Sequence, residues 1–165
     1  MLLDIIRKDF HAGPGLESLE ELVAPSFFVD VGPSCNFRCL YCSVERNGSF
    51  HPAEELCRTV ELGGRHSLGC GFFTGGEPSL YPHLERVMEH GNAHGVPHWG
   101  ITTNGWGLAD RARAQELHRL GMRLWQLSWD DFRPEVLDLL RGHRGVQPRL
   151  MEALEALDEL GEGHV

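Results

Sequence analysis

Short apolar runs alternate with longer amphipathic stretches along this chain. The apolar runs, which predict four β-strands, cover residues 26–32, 67–73, 98–103 and 123–128. Helical periodicity predicts helices over residues 51–64, 81–95, 109–121, 133–142 and 148–161. Strands that alternate with helices predict βαβ units around a parallel sheet, and strands that are apolar almost throughout predict a sheet covered on both faces. The predicted fold class is therefore α/β.

Polar, glycine-rich stretches follow all four predicted strands. They are the cysteine loop SCNFRCLYCS (34–43), TGGEPS (74–79), TNG (103–105) and SWDD (128–131). Ligands in parallel α/β folds bind beyond the C-terminal ends of the strands. The four stretches are therefore predicted to meet at one edge of the sheet and to form one site.

Composition excludes several classes of partner. The chain has 165 residues, of which 41% are hydrophobic, and this is enough for one domain with a sizeable core. No apolar run approaches the roughly 20 residues of a membrane span, and no signal peptide is recognisable, so we expect a cytoplasmic protein with no membrane partner. The net charge of −9 predicts no nucleic-acid partner.

Five cysteines in a cytoplasmic protein are expected to be thiols or metal ligands rather than disulfides. Cys57 and Cys70 lie in a predicted helix and strand, where buried thiols are expected. The histidines other than His51 are scattered over helix faces without ligand spacing, and we expect them to be surface residues.

The other three cysteines, Cys35, Cys39 and Cys42, lie close together with no fourth cysteine nearby. Structural zinc prefers four protein ligands, and His51 is the nearest candidate to complete such a set. A four-iron cluster held by three thiolates instead leaves one iron open to a substrate or cofactor. The trio favours an iron–sulfur cluster, and a structural zinc module is the alternative.

The spacing Cys35-x-x-x-Cys39-x-x-Cys42 resembles the cluster motif of the radical S-adenosylmethionine (SAM) superfamily. Tyr41 is similar to the aromatic residue that this family places before the third cysteine, and GGEP at 75–78 resembles its SAM-binding loop. The resemblance implies that the three cysteines hold three irons of a 4Fe–4S cluster. It also implies that SAM binds the fourth iron through its amino and carboxylate groups.

The same resemblance implies roles for single residues around SAM. Tyr41 would approach the adenine, with a loop aromatic that closes the core as the alternative. Gly75 and Gly76 would let the backbone approach the methionyl group. Glu77, or backbone acceptors beside it, would bind the ammonium group, and Pro78 would fix the turn. A plain exposed carboxylate is the alternative for Glu77.

Asn104, Ser128 and Asp130 resemble family positions near the ribose and methionyl groups of SAM. Many relatives have Ser-x-Asp-Gly where this chain has SWDD, which leaves the local turn and the role of Asp130 open. For Asn104, an Asx turn that ends the strand is the alternative. Arg141 resembles a common family arginine, with a solvated helix end as the alternative.

The resemblance implies an enzyme that cleaves SAM reductively and makes a deoxyadenosyl radical, which abstracts hydrogen from a substrate. It implies an electron donor of the flavodoxin or ferredoxin type. The substrate is not readable, although the stretches LSWDDF and LLRG are loosely similar to the branch that modifies peptides. The alternative is a non-catalytic remnant or partner subunit that binds the cluster and SAM without turnover.

The predicted organisation is an N-terminal segment, residues 1–25, followed by a radical SAM core over residues 26–165. The family's core has six β/α units in a partial TIM-type barrel, whereas about four are predicted here. The last residues, LGEGHV, fall where a fifth strand would begin. We therefore expect a partial parallel (β/α) barrel that is truncated at its C-terminus or completed by another chain, with strand four as an exposed edge.

Overall fold

The part of the chain that the computed structural model describes, residues 25–44 and 48–161, contains four strands, each followed by a helix, and a fifth α-helix at the end. The strands are β1 (Ser26–Asp30), β2 (Cys70–Thr74), β3 (His98–Thr103) and β4 (Met122–Leu127). The α-helices are α1 (Ala53–Arg65), α2 (Leu84–Ala93), α3 (Arg111–Arg119), α4 (Pro134–Arg141) and α5 (Val146–Asp158). Each predicted strand and helix is therefore present. The first 24 and the last four residues, which include most of the predicted N-terminal segment, lie outside the described residues.

The helices in the described ranges are short, and none is both long and apolar enough to cross a bilayer. The helix predicted over residues 81–95 begins later than expected, at Leu84, and a 3₁₀ helix at Pro78–Leu80 precedes it. Pro82 explains the delay, because a proline forces the residue before it into extended backbone. Tyr81 has that conformation, with φ −66° and ψ 121°.

All four strands belong to one parallel sheet, in the order β1-β2-β3-β4 within the described residues. Asp30 aligns with Thr74, and Thr103 aligns with Leu127, so neighbouring strands end level with each other. Their following loops start at the same edge, as the sequence predicts. Among the described residues β4 pairs only with β3, as expected of an edge strand.

One face of the sheet packs against the helices and forms the main core. Val29 and Ile101 are fully buried there, and Trp99 stacks on Phe73 with ring centroids 5.2 Å apart. The Trp99 indole N–H also donates to Oδ1 of Asn92 on α2, at 2.7 Å. Complete burial of one large apolar side chain contributes about 1.5–3 kcal/mol, so this face accounts for much of the stability.

The opposite face is less covered than the apolar strands predict. Phe28 is 70% exposed and meets the Phe72 ring edge-on, at a centroid distance of 6.1 Å. Polar side chains also occur on this face, where the hydroxyl of Thr102 donates to Oε1 of Gln126 at 2.9 Å. The prediction of a sheet buried on both faces is therefore wrong. The inner face of a partial barrel points to the lumen and has no helix layer of its own.

The two faces should respond differently to the loss of an aromatic ring. Trp99→Leu should lower the free energy of unfolding by about 2–4 kcal/mol, because it leaves a cavity and an Asn92 acceptor without its donor. Phe28→Leu, a matched change on the exposed face, should alter it by less than about 0.5 kcal/mol. Urea denaturation of both variants measures the difference, and equal losses would contradict the assignment of the core.

Candidate functional site

A cavity at the C-terminal edge of the sheet brings together residues from all four predicted loops. Its lining includes Cys35, Cys39, Tyr41 and Cys42 from the cysteine loop, Gly75, Gly76 and Glu77 after β2, Asn104 after β3, Ser128 after β4 and Arg141 from α4. The prediction that these stretches meet is confirmed. Two residues expected to bind the cofactor, Pro78 and Asp130, are absent from the lining.

The three cysteines of the loop are thiols that are not gathered into one compact ligand set. Cys35, Cys39 and Cys42 form no disulfide. Within the described part of the chain their sulfurs do not all lie within 4.8 Å of one another, and His51 does not complete a set of that size with them. Four ligands about 2.3 Å from a tetrahedral zinc ion lie only about 3.8 Å apart. The three sulfurs are therefore not gathered at the spacing of ligands around one zinc ion.

Hydrogen-bond donors face two of the three sulfurs. The backbone N–H of Phe37 donates to Sγ of Cys35 at 3.4 Å, and Nδ2 of Asn104 lies 3.9 Å from the same sulfur. A guanidinium nitrogen of Arg141 lies 3.7 Å from Sγ of Cys39. Burial raises the pKa of the Cys35 thiol, and the Phe37 N–H opposes this shift. Such donors stabilise negative charge on sulfur, which is what ligand thiolates of a cluster carry.

Glu77 joins the loop after β2 to the loop after β3. Its side chain is 1% exposed, so the exposed-carboxylate alternative is wrong. Oε1 accepts hydrogen bonds from the backbone N–H of Ser79, at 3.0 Å, and from the Thr103 hydroxyl, while Oε2 accepts from the N–H of Asn104 at 2.6 Å. Burial raises the pKa of this carboxyl, and the hydrogen bonds act against that shift. Pro78 begins the 3₁₀ helix and is buried.

The two glycines of the GGEP loop allow a close approach between loops. Gly75 has φ +122°, in the region that favours glycine, and a Cβ on Gly76 would lie 2.1 Å from the carbonyl oxygen of Ser34. The N–H of Glu77 donates to this same oxygen at 2.8 Å, and the N–H of Gly76 donates to the carbonyl oxygen of Gly32 at 2.8 Å. The position that a side chain at Gly76 would occupy is therefore filled by the backbone of the cysteine loop. It is not free space for a ligand.

Asn104 combines a turn with a contact to the cysteine loop. Its Oδ1 accepts a hydrogen bond from the N–H of Trp106 at 3.0 Å, which is the Asx turn considered as the alternative. Its Nδ2 donates to Oδ1 of Asn36 at 2.8 Å. Among the described residues, the buried Nδ2 of Asn36 has no hydrogen-bond partner. A buried amide of this kind, next to Cys35, is suited to a bound ligand that accepts its hydrogen bond.

Tyr41, Asp130 and Arg141 form a connected group at the rim. The Tyr41 hydroxyl donates to Oδ2 of Asp130 at 2.7 Å. Nε of Arg141 lies 2.6 Å from the same oxygen, an ion pair without the alignment of a hydrogen bond, and the guanidinium lies 5.8 Å from the centroid of the Tyr41 ring. Burial, followed by the Asp130 contact, raises the pKa of Tyr41. The Asp130 side chain is therefore engaged by two residues that line the cavity, although it does not line the cavity itself.

Both alternatives drawn for this group from the sequence are wrong. Arg141 is 5% exposed, so it does not belong to a solvated helix end, and Tyr41 is 56% exposed, so it does not close the core. Asp131, where many relatives have glycine, does not adopt a positive φ. Its carboxylate accepts the N–H of Arg133 at 2.8 Å and shapes the turn before α4 without glycine.

The C-terminal end of α4 supports the cysteine loop, a contact that the sequence analysis missed. The N–H groups of Arg38 and Leu40 donate to the carbonyls of Arg141 and Leu140, at 3.0 and 2.9 Å. At Gly142, a Cβ would lie 2.2 Å from the carbonyl oxygen of Arg38. The glycine after Arg141 marked the helix end in the sequence, but nothing in it marked the loop that it approaches.

A cysteine-lined cavity at the strand ends of a parallel sheet defines a cofactor-binding α/β protein. The sequence matches the Radical SAM superfamily over residues 29–163, and the chain therefore belongs to that superfamily. Members of the superfamily use a 4Fe–4S cluster and SAM. The family predicted from the cysteine spacing and the GGEP loop is confirmed.

Curated relatives of known activity include GTP 3′,8-cyclases. The enzyme of Tolumonas auensis is 33% identical over 143 residues, a match that covers 81% of this chain and 40% of the cyclase. GTP 3′,8-cyclase 3 of Mycobacterium bovis is 32% identical over 142 residues, covering 77% of this chain and 36% of that protein. The chain thus spans about two fifths of the length of these relatives.

Solved structures with a similar fold contain bound SAM. Native anSMEcpe with bound AdoMet has a TM-score of 0.69 and 25% identity, over 83% of this chain and 41% of that one. Streptococcus suis SuiB bound to S-adenosylmethionine has a TM-score of 0.66 and 18% identity, over 84% of this chain and 31% of that one. These similarities confirm the α/β partial-barrel fold.

The close packing at Gly76 makes the GGEP loop and the cysteine loop interdependent. Gly76→Ala should lower the free energy of unfolding of the apoprotein by about 1–3 kcal/mol, because the new methyl group displaces Ser34, the neighbour of Cys35. It should also lower the iron content after reconstitution. Gly145→Asn is the matched control, since a Cβ there meets no atom within 4 Å and asparagine tolerates its positive φ. Normal stability and iron content in Gly76→Ala would contradict this coupling.

Proposed function

We propose that this chain carries the catalytic cofactor site of a radical SAM enzyme. Cys35, Cys39 and Cys42 hold three irons of a 4Fe–4S cluster, and SAM binds the remaining iron in the same cavity. The observation that supports this most is the cavity itself, since three cysteines share one lining with the loops after β2, β3 and β4.

Some of the predicted residues contact SAM directly, and others act by positioning their neighbours. Asn104 and Ser128 line the cavity and contact the ribose and methionyl parts of SAM, while Tyr41 lies at the rim beside the adenine. Glu77 acts mainly through the backbone that it holds, because its oxygens already accept three hydrogen bonds from the protein. Asp130 is a positioning residue that acts through Tyr41 and Arg141 rather than on SAM.

When both cofactors are bound, they supply the reductive cleavage of a carbon–sulfur bond of SAM, which needs an electron from a donor of the flavodoxin or ferredoxin type. The chain itself binds and orients them. The N–H of Phe37 and the side chains of Asn104 and Arg141 face the ligand sulfurs, where they favour the charged thiolate. No pair of acidic and basic groups is required for this step, so the carboxylate of Glu77 transfers no proton.

For the substrate, we propose a purine nucleotide in place of the peptide favoured by the sequence. The similarity to GTP 3′,8-cyclases supports this choice. Among the described residues that line the cavity, the one basic side chain is Arg141, which is paired with Asp130. Binding of a triphosphate therefore needs further basic groups from outside this lining, because each phosphate oxygen is stabilised by Arg, Lys or backbone N–H donors.

Anaerobic reconstitution with iron and sulfide, followed by addition of SAM and dithionite, tests the activity. We expect the visible absorbance of an iron–sulfur cluster and the formation of methionine and deoxyadenosine. Single changes of Cys35, Cys39 or Cys42 to Ala should abolish both, because each removes one of only three ligands. Cys57→Ala and Cys70→Ala are matched controls that should keep both, since these cysteines are buried away from the cavity.

Different failures of this experiment have different meanings. A cluster that forms and binds SAM without producing deoxyadenosine would support the non-catalytic alternative. Zinc bound by the trio, with no uptake of iron, would support the zinc alternative and refute the proposed function. Adding GTP or a peptide to the active protein tests the substrate, because the true substrate should receive or lose hydrogen in a deuterium-labelled assay.

A further inference from the structure

A second group of potential metal ligands lies between α1 and α2. Glu61 on α1, His90 on α2 and His94 at the C-cap of α2 each offer one ligand atom, and these atoms lie within 4.8 Å of one another. The two histidines are four residues apart, one in the last turn of α2 and one just after it, a spacing that places both side chains on the same side. The expectation that the histidines lack ligand spacing is wrong for this pair.

Local contacts orient these side chains for metal binding. Nδ1 of His94 lies 2.8 Å from the carbonyl oxygen of His90, so an N–H at Nδ1 leaves Nε2 free to bind a metal. Nε2 of His90 lies 3.8 Å from Oε2 of Glu61, and the centroids of the two imidazole rings are 4.3 Å apart. Each ligand atom is therefore near the other two.

The carboxylate of Glu61 is held by a neighbour that leaves one oxygen available. The guanidinium of Arg65, one turn further along α1, contacts Oε1, while Oε2 is the oxygen near His90. A charged partner on the outer oxygen of a carboxylate ligand is a common arrangement around metal sites, because it fixes the direction of the inner oxygen.

We propose that Glu61, His90 and His94 bind one Zn²⁺ ion through two imidazole nitrogens and one carboxylate oxygen. Zinc accepts this ligand set, and a water molecule completes the tetrahedron. Ligand atoms around such an ion lie about 3.3 Å apart, so no pair of ligand atoms must close by more than about 1.5 Å. Their surroundings permit this, since Glu61 and His90 are half-buried and His94 is exposed.

The proposed zinc site is separate from the cysteine cavity. None of the three proposed zinc ligands, Glu61, His90 and His94, lines that cavity, which lies at the ends of the strands. The ion joins two helices that pack against each other on the outer layer of the sheet. Because it binds the native arrangement of α1 and α2 and not the unfolded chain, it stabilises the folded state.

Titration of Zn²⁺ into the cluster-loaded protein tests this proposal, because the cysteine sulfurs are then occupied by iron. We expect one equivalent to bind and the melting temperature to rise. His90→Gln and His94→Gln should each weaken binding at least about tenfold, because each removes one of three ligands. His66→Gln, at an exposed histidine just after α1, is the matched control and should bind as the parent does.

A variant that lacks all three loop cysteines tests zinc binding independently of the cluster. In the Cys35→Ala, Cys39→Ala, Cys42→Ala triple variant, Co²⁺ should bind with the spectrum of nitrogen and oxygen ligands and without sulfur charge-transfer bands. The same triple variant should still bind one Zn²⁺, even if the proposed cluster site proves wrong. Absence of binding in this variant, or binding that survives both histidine changes, would overturn the zinc proposal.

Discussion

The contact between the backbones of Ser34 and Glu77 is the constraint on which the cofactor site depends. The carbonyl of Ser34 accepts the N–H of Glu77, and this is possible only because Gly76 has no side chain to separate the loops. Oε2 of Glu77 then accepts the N–H of Asn104, whose amide donates to Asn36, two residues after Ser34. These bonds close a ring around the base of the cysteine loop.

Two members of this ring of hydrogen bonds are buried, so we expect a substitution at either to disturb the whole site. Glu77 is 1% exposed and Asn104 is 7% exposed, so a broken bond leaves a buried group without water to replace its partner. Such a loss costs about 1–3 kcal/mol for each group. The GGEP loop is therefore part of the support for the cysteines as well as a wall of the cavity, and a clean division between cluster loop and SAM loop does not exist in this fold.

The architecture could be read from the sequence, whereas the partners of single side chains could not. Strand β3 has the predicted bounds, because its apolar run and flanking turn residues are local signals. The meeting of the four loops follows from a general rule for parallel sheets. In contrast, the burial of Arg141 depends on Asp130 and on Cys39, which is about 100 residues earlier in the chain. Helical periodicity predicts that a helix ends near position 141, but it does not predict which residues the end of that helix contacts.

The support that Gly142 and the end of α4 give to the cysteine loop bears on attempts to build smaller cluster-binding peptides. A synthetic copy of residues 34–43 retains the sulfur spacing but loses the carbonyls of Leu140 and Arg141 that fix Arg38 and Leu40. Such a peptide should bind iron more weakly, because its backbone has to be ordered when the metal binds. A miniature scaffold in which the loop is preorganised also needs a helix packed against the loop. That helix must end in glycine, because a larger residue at the position of Gly142 would push the helix away from the loop.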